Sequence, residues 1–241
     1  TDEGERFLAA SEALIEAVER VESAVARGDA LEGRVRVALR SANTGIGLGE
    51  EVARMMSTAP GLELQIVVLD DDADLLSLQA QGIDLAVQVG RLKDSSLVAK
   101  RVGNVPYAMC ATPAYLRANG RPRKPSDLLQ HECIRRLGDV RETSWALVDR
   151  HGRSRPTPIG GRLECSDARF QSEILYAGFG IGLRPAAEVR RAVQEGTLER
   201  VLPSFSFEPV PVWVVGPKSR LRLPRVVRVV EIVTRVIAAL A

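Results

Sequence analysis

The first 27 residues carry apolar side chains at a helical spacing and contain no proline. Phe7, Leu14 and Val21 recur every seven positions, and Ser11, Val18 and Val25 follow each of them by four, which predicts a long helix with an a/d seam that has one polar member. Leu8 and Ile15 widen the stripe, so the helix has a broad apolar face to bury. Packing on its own domain competes with packing on a second copy, because three heptads are few. The linker-like Arg27, Gly28, Asp29 and Ala30 favour the partner helix.

Beyond that linker the period switches between two and 3.6. Strands are predicted at 33–39, 62–69 and 83–89, helices at 50–57 and 74–81, and extended chain at 97–110. The second half repeats the alternation less regularly, with extended runs at 133–136, 145–148 and 159–165 and a helix at 168–177. A Gly-rich strand at 180–183, a helix at 186–194 that stops at Gly196, a strand at 211–215 and an amphipathic helix at 224–239 complete it. Strands alternating with helices predict an α/β fold with a parallel or mixed sheet covered on both faces. Thr112 can cap a short helix, Pro113 suits its first position and Gly120 can end it, which makes this segment a hinge candidate. With the final helix returned to the first unit, the expected organisation is a linker helix at 1–29, a first subdomain at 30–111 plus 215–241, and a second at 112–214. Two strands then cross between the subdomains in opposite senses, and a ligand cleft is expected at strand carboxyl ends.

Composition narrows the function. Thirty-three Lys and Arg against thirty-one Asp and Glu leave a formal charge of +2 in 241 residues, without an evident basic stripe of the kind a nucleic-acid grip requires. Cys110, Cys133 and Cys165 are odd in number and widely spaced, which predicts reduced, buried thiols; His131 and His151 lack metal-ligand spacing, so no metal or cofactor is expected. No apolar run reaches the roughly 18 residues of a membrane span, and the charged N-terminus carries no apolar leader, so the chain reads as cytoplasmic.

The candidate chemistry is sparse. Gly45 and Gly47 form a partial Gly-x-Gly-x-x-Gly, with Glu50 at the third glycine position and Asp70 near the ribose-binding offset; this is the enzyme alternative, a nucleotide-dependent oxidoreductase that NAD or NADP titration would reveal. A flexible Gly-rich loop, or a loop whose Ser41, Asn43 and Thr44 bind a small effector, are the other readings. The acidic run 70–74 lacks the glycine and glutamate of a calcium loop. Ser166 and Asp167 precede a helix, first as a capping pair and second as a place for a ligand carboxylate. No nucleophilic triad can be assembled. Arg40 and Arg184 end strands predicted to point at the cleft, where an internal carboxylate or an anionic effector can pair with them.

Residues 110–129, with Thr112-Pro-Ala-Tyr-Leu116 followed by Gly120-Arg-Pro122 and Pro125-Ser-Asp-Leu128, resemble the corresponding signature of the LysR-type transcriptional regulators. Residues 33–37, 74–90, 177–185 and 196–202 continue the likeness in the family's order, so it covers nearly the whole chain. It implies a two-lobed, type II periplasmic-binding-protein-like fold preceded by a linker helix, and it implies an effector-sensing and oligomerisation portion that is not an enzyme. A solute-binding protein shares those lobes but has no use for the N-terminal heptads. By carry-over, effector contacts are expected at Ser41, Asn43, Thr44, Val89, Gly90, Ala111, Thr112, Ser166 and Ile181. The implied partners are a small-molecule effector such as a carboxylate, a homodimer or homotetramer, and DNA through a winged helix-turn-helix of which residues 2–4 resemble only the end. Gln88 and Arg184 depart from the family pattern, so the effector's chemistry does not transfer. On this reading Thr112→Val impairs ligand response and leaves folding intact.

Overall fold

The computed structural model describes residues 1, 3–4, 7, 11, 32–40, 48–69, 82–90, 92, 97–138 and 141–240, with the backbone but not the side chain of Arg40. Strand β1 (Gly33–Arg40) lies between β2 (Leu62–Leu69) and β3 (Leu85–Val89), all parallel, and β12 (Val210–Gly216) and β4 (Val98–Val105) extend the sheet in the order β2-β1-β3-β12-β4. Alternation along β1 sends Val35, Val37 and Leu39 to one face, where helix α1 (Leu48–Thr58) and helix α5 (Pro224–Leu240) bury them. The apolar stripe of α5, Val226, Val229, Val233 and Ile237, fills that face. Ala38, Ile83, Ala86 and Val215 are buried on the other, which is why Leu85, Ala86 and Val87 of β3 are apolar in succession instead of alternating. Gly103 (φ +151°) allows α5 to approach β4: a Cβ there would sit 2.6 Å from the Ile237 Cγ2 methyl.

The second lobe is built on β5 (Tyr107–Ala111), flanked by β10 (Gly182–Pro185) and β11 (Glu199–Arg200), both antiparallel to it. Helix α2 (Pro113–Asn119) and a 3-10 turn (Pro125–Gln130) follow β5. Strand β6 (Arg135–Arg136) pairs in parallel with β9 (Glu164–Cys165), and β7 (Ser144–Val148) forms a hairpin with β8 (Ser154–Pro158). Helices α3 (Ala168–Tyr176) and α4 (Ala186–Gln194) complete the lobe. Met109, Leu128, Cys133, Trp145 and Ile181 share its core. In the hairpin turn, Asp149 accepts from the Arg153 and His151 amides and from Arg153 Nε, and these bonds, the Arg153 amide foremost, bring its carboxyl down to about 2. Pro156, Pro158 and outward-facing residues hide β8 from a periodicity reading.

The chain changes sheets at Pro106 and returns before Val210, earlier than the expected crossings after residues 111 and 214. All of β5 pairs within the second lobe, and all of β12 within the first. Residues 97–110 read as one extended run because β4 and β5 are separated by Pro106 alone, and Gly103 and Asn104 lie inside β4 instead of breaking the chain into a turn.

Candidate functional site

Strand direction fixes where the lobes face each other. β5 leaves the crossing at Pro106 and β10 runs back to it, with Pro185 opposite Tyr107 and the Ala186 amide bonded to the Pro106 carbonyl at 2.8 Å. Cys133, two residues before β6, bridges Ile181 in parallel, and β9 runs parallel to β6, so both end on the crossing side and deliver Leu137 and Ser166 there. In the first lobe the Gly90 amide bonds the Pro211 carbonyl at 2.8 Å, beside the return crossing, and β1 is parallel to β3. The carboxyl ends of β1, β3, β6, β9 and β10 therefore converge on the two crossings. This is the arrangement in which open α/β sheets receive ligands.

Of the expected site residues, Arg40, Val89, Gly90, Ser166 and Arg184 lie at this end. Among the described residues nothing lies within 4 Å of where a Cβ of Gly90 (φ +96°) would sit, and its carbonyl accepts from Trp213 Nε1 at 3.0 Å. Arg101 lies over the Trp213 ring, 6.0 Å from its centroid. Across the cleft, Asp167 caps α3 by accepting from the Phe170 amide at 2.7 Å, and Ser166 beside it is exposed. Arg184 is bound internally: its guanidinium grips Glu188 at 2.9 to 3.2 Å and donates to the Ala168 carbonyl at 3.1 Å, tying α3, α4 and β10 together. Near the end of β6, Arg136, Gly138, Arg141, Glu142, Thr143 and Ser144 line an open hollow of about 430 Å³. Arg136 and Arg141 were missed in the sequence, where the arginine pair 135–136 ending an extended run was their only signal. A second groove of about 430 Å³, between α5 and Lys100 of β4, lies on the flank of the first lobe, away from these strand ends.

Ala111, Thr112 and Ile181 lie elsewhere. They sit at the end of β5 remote from Pro106, where Ala111 and Ile181 are fully buried and Thr112 is nearly so. The Thr112 hydroxyl caps α2 by accepting from the Tyr115 amide at 3.2 Å, and Pro113 takes the first helical position. Gly120 ends the helix at φ +83° and ψ 167°. α2 thus starts one strand beyond the crossing and is not a hinge. The reason is the early crossing: five residues that read as first-lobe chain carry Thr112 to the far end of the second lobe.

At that far end the Tyr115 hydroxyl accepts from the Glu132 amide at 3.0 Å and shares a hydrogen bond with His131 Nδ1 at 3.1 Å. Burial lowers the His131 pKa, against a smaller opposing pull from Asp127. The unfolded chain therefore binds the proton first, and stability rises with pH from the folded pKa up to about 6.5. Urea midpoints at pH 5 and 7 should show that rise, bounded by roughly 1.4 kcal/mol per pH unit, and His131→Gln should remove most of it. An equal rise in the variant would assign it to other groups.

Ser41, Asn43 and Thr44 lie outside the described residues, as do Gly45, Gly47 and Asp70 of the nucleotide alternative and Leu14, Val18, Val21 and Val25 of the seam. Phe7 and Ser11 are helical, and Phe7 is exposed. Burial pushes the Cys110 and Cys133 thiols up to about 12, so neither is a thiolate near neutrality. Among the described residues no group of His, Cys, Asp and Glu is placed to hold a metal ion, and no helix is long and apolar enough to cross a membrane.

Residues 28–238 match the family model described as the LysR substrate binding domain. The chain is 32% identical over 199 residues to the HTH-type transcriptional activator AaeR of Escherichia coli (strain K12), which covers 82% of this chain and 62% of that protein. It is 30% identical over 171 residues to the HTH-type transcriptional regulator PtxR of Pseudomonas aeruginosa, covering 70% of this chain and 54% of the relative. It thus spans less than two thirds of the length of either. In fold it is similar to CrgA, a LysR-type transcriptional regulator from Neisseria meningitidis, with a TM-score of 0.72 at 20% identity over 100% of this chain and 80% of that one. The full-length Vibrio cholerae virulence activator AphB gives 0.70 at 23% identity over 99% and 79%.

Proposed function

The chain belongs to the LysR substrate-binding-domain family, and on that premise we propose that it is the effector-sensing and oligomerisation portion of a transcriptional regulator, with its effector held between the lobes. The observation that carries this reading is the convergence of strand carboxyl ends from both sheets on the two crossings, with open backbone at Gly90 on one side and exposed Ser166 before the α3 N-terminus on the other. A small molecule touching both sides favours one interlobe geometry, and the subunits of a dimer or tetramer pass that bias to DNA-binding heads. No group transfer is required. The α3 N-terminus together with Arg136 and Arg141, the latter paired with Glu164 at 3.1 Å, favours an anion, so a carboxylate is the first effector class to test.

A thermal-shift screen of aromatic and aliphatic carboxylates tests this, since a ligand at 100 times its Kd stabilises the folded state by about 2.7 kcal/mol. Ser166→Leu should abolish the shift given by the best binder. Thr112→Val should keep it while lowering basal stability by about 1 kcal/mol through loss of the α2 cap, the reverse of the sequence-based expectation. A shift lost in Thr112→Val and kept in Ser166→Leu would put the effector in the wrong place.

A further inference from the structure

The end of the first lobe remote from the crossings gathers cations from segments far apart in the chain. Arg34 and Arg36 come from the start of β1, Lys218, Arg220 and Arg222 from the turn after β12, and Arg225 from the first turn of α5. Contacts place them side by side. Arg225 Nε donates to the Arg34 carbonyl at 3.2 Å. Asp84 accepts from the Arg36 amide at 2.8 Å and pairs with Arg220 at 3.3 Å, which joins β1 to the turn. Lys218, Arg222 and Arg34 are exposed, while Asp84 is buried. Among the described residues, the carboxylates at this end are Glu32, Glu63 and Asp84, fewer than the cations.

We propose that this end of the lobe is a contact surface for the phosphate backbone of duplex DNA. Five of the six cations are arginines, whose forked donors match phosphate oxygens. The chain enters β1 at this same end, so whatever precedes residue 32 is attached beside the patch. The inference rests on the reading of the chain as part of a DNA-binding regulator, but it assigns a phosphate contact to the effector lobe itself. Such a contact positions and adds affinity without reading sequence.

The test is fluorescence anisotropy of a labelled 30-base-pair duplex of arbitrary sequence titrated with this chain. With about three phosphates neutralised, binding at 50 mM salt should weaken about 40-fold by 200 mM. Arg34→Glu, Lys218→Glu and Arg222→Glu together should weaken it at least tenfold at 50 mM. Arg150→Glu, Arg155→Glu and Arg190→Glu, exposed on the second lobe and equal in charge change, should leave it within about twofold. Should the triple reversal misfold, the corresponding glutamine variants replace it and should still weaken binding severalfold. No binding at 50 mM, or equal loss in both triple variants, overturns the proposal, including in favour of an acidic protein partner. The effector reading is tested separately, because the carboxylate thermal shift does not depend on these residues.

Discussion

Gly161→Ala is expected to destabilise the second lobe by about 3 kcal/mol or more, a large share of the 5–15 kcal/mol typical of a folded domain. Two effects add. Gly161 has φ +110°, a conformation that strains any residue with a Cβ, and that Cβ would sit 2.3 Å from the Cys133 carbonyl oxygen and 2.7 Å from its amide nitrogen. The obstacle is backbone in the lobe's core, so no side-chain rotation relieves it. Gly152, in the hairpin turn at φ +75°, has nothing within 4 Å of such a Cβ, and Gly152→Ala should cost only about 1 kcal/mol. The difference isolates the clash from the strain. Urea titration in a Trp213→Phe background, where buried Trp145 alone reports, measures both. Equal costs would show that close packing is not what requires glycine at 161.

The second large effect concerns Arg184 and Glu188. Their side chains are 12% and 17% exposed and make a forked contact, so removing one partner leaves the other charge in poorly solvated surroundings. For a fully buried pair that loss is roughly 3–5 kcal/mol, and residual solvent access reduces it here to about 2–3 kcal/mol for Arg184→Met or Glu188→Leu. The double variant should return to within about 1 kcal/mol of the parent, because no orphaned charge remains and the apolar volume is kept. A double-mutant cycle by urea denaturation reads the coupling directly. Strictly additive singles would mean that the pair contributes no interaction energy. Because Arg184 also holds the Ala168 carbonyl, both singles should loosen the α3 N-terminus and lower effector affinity beyond what stability alone explains.

These residues show what the sequence could and could not reveal. Strand 62–69 and helix 186–194 coincide with the structure because each has a clean period and a clear stop. The two-lobed organisation was also legible, since returning the apolar stripe of α5 to the sheet begun at β1 is the simplest topology, and the structure packs it there. Distance from the crossing was not. Thr112 reads the same whether β5 belongs to the first lobe or the second, and only the pairing of Tyr107 with Pro185 decides it. For the same reason Arg184 could be placed on a strand near the cleft, but its choice of Glu188 over a ligand depends on a side-chain geometry that spacing leaves open. The cations at 218–225 are only four and spaced among apolar residues, so they do not read as a basic stripe; that β1 sets Arg34 and Arg36 beside them follows from topology alone.

Because the second lobe is inserted between β4 and β12, the first lobe closes only when the C-terminal segment arrives. Arg225 and the Arg34 carbonyl it binds are 191 positions apart. During synthesis Val35, Val37 and Leu39 therefore wait, uncovered by α5, while the inserted lobe has all of its strands and can fold by itself. Late, long-range closure is slow and leaves apolar surface available to other chains. A chain truncated before Pro224 should present a folded second lobe attached to an open, aggregation-prone first one, which makes α5 the step that decides whether a newly made first lobe closes or is exposed to quality control.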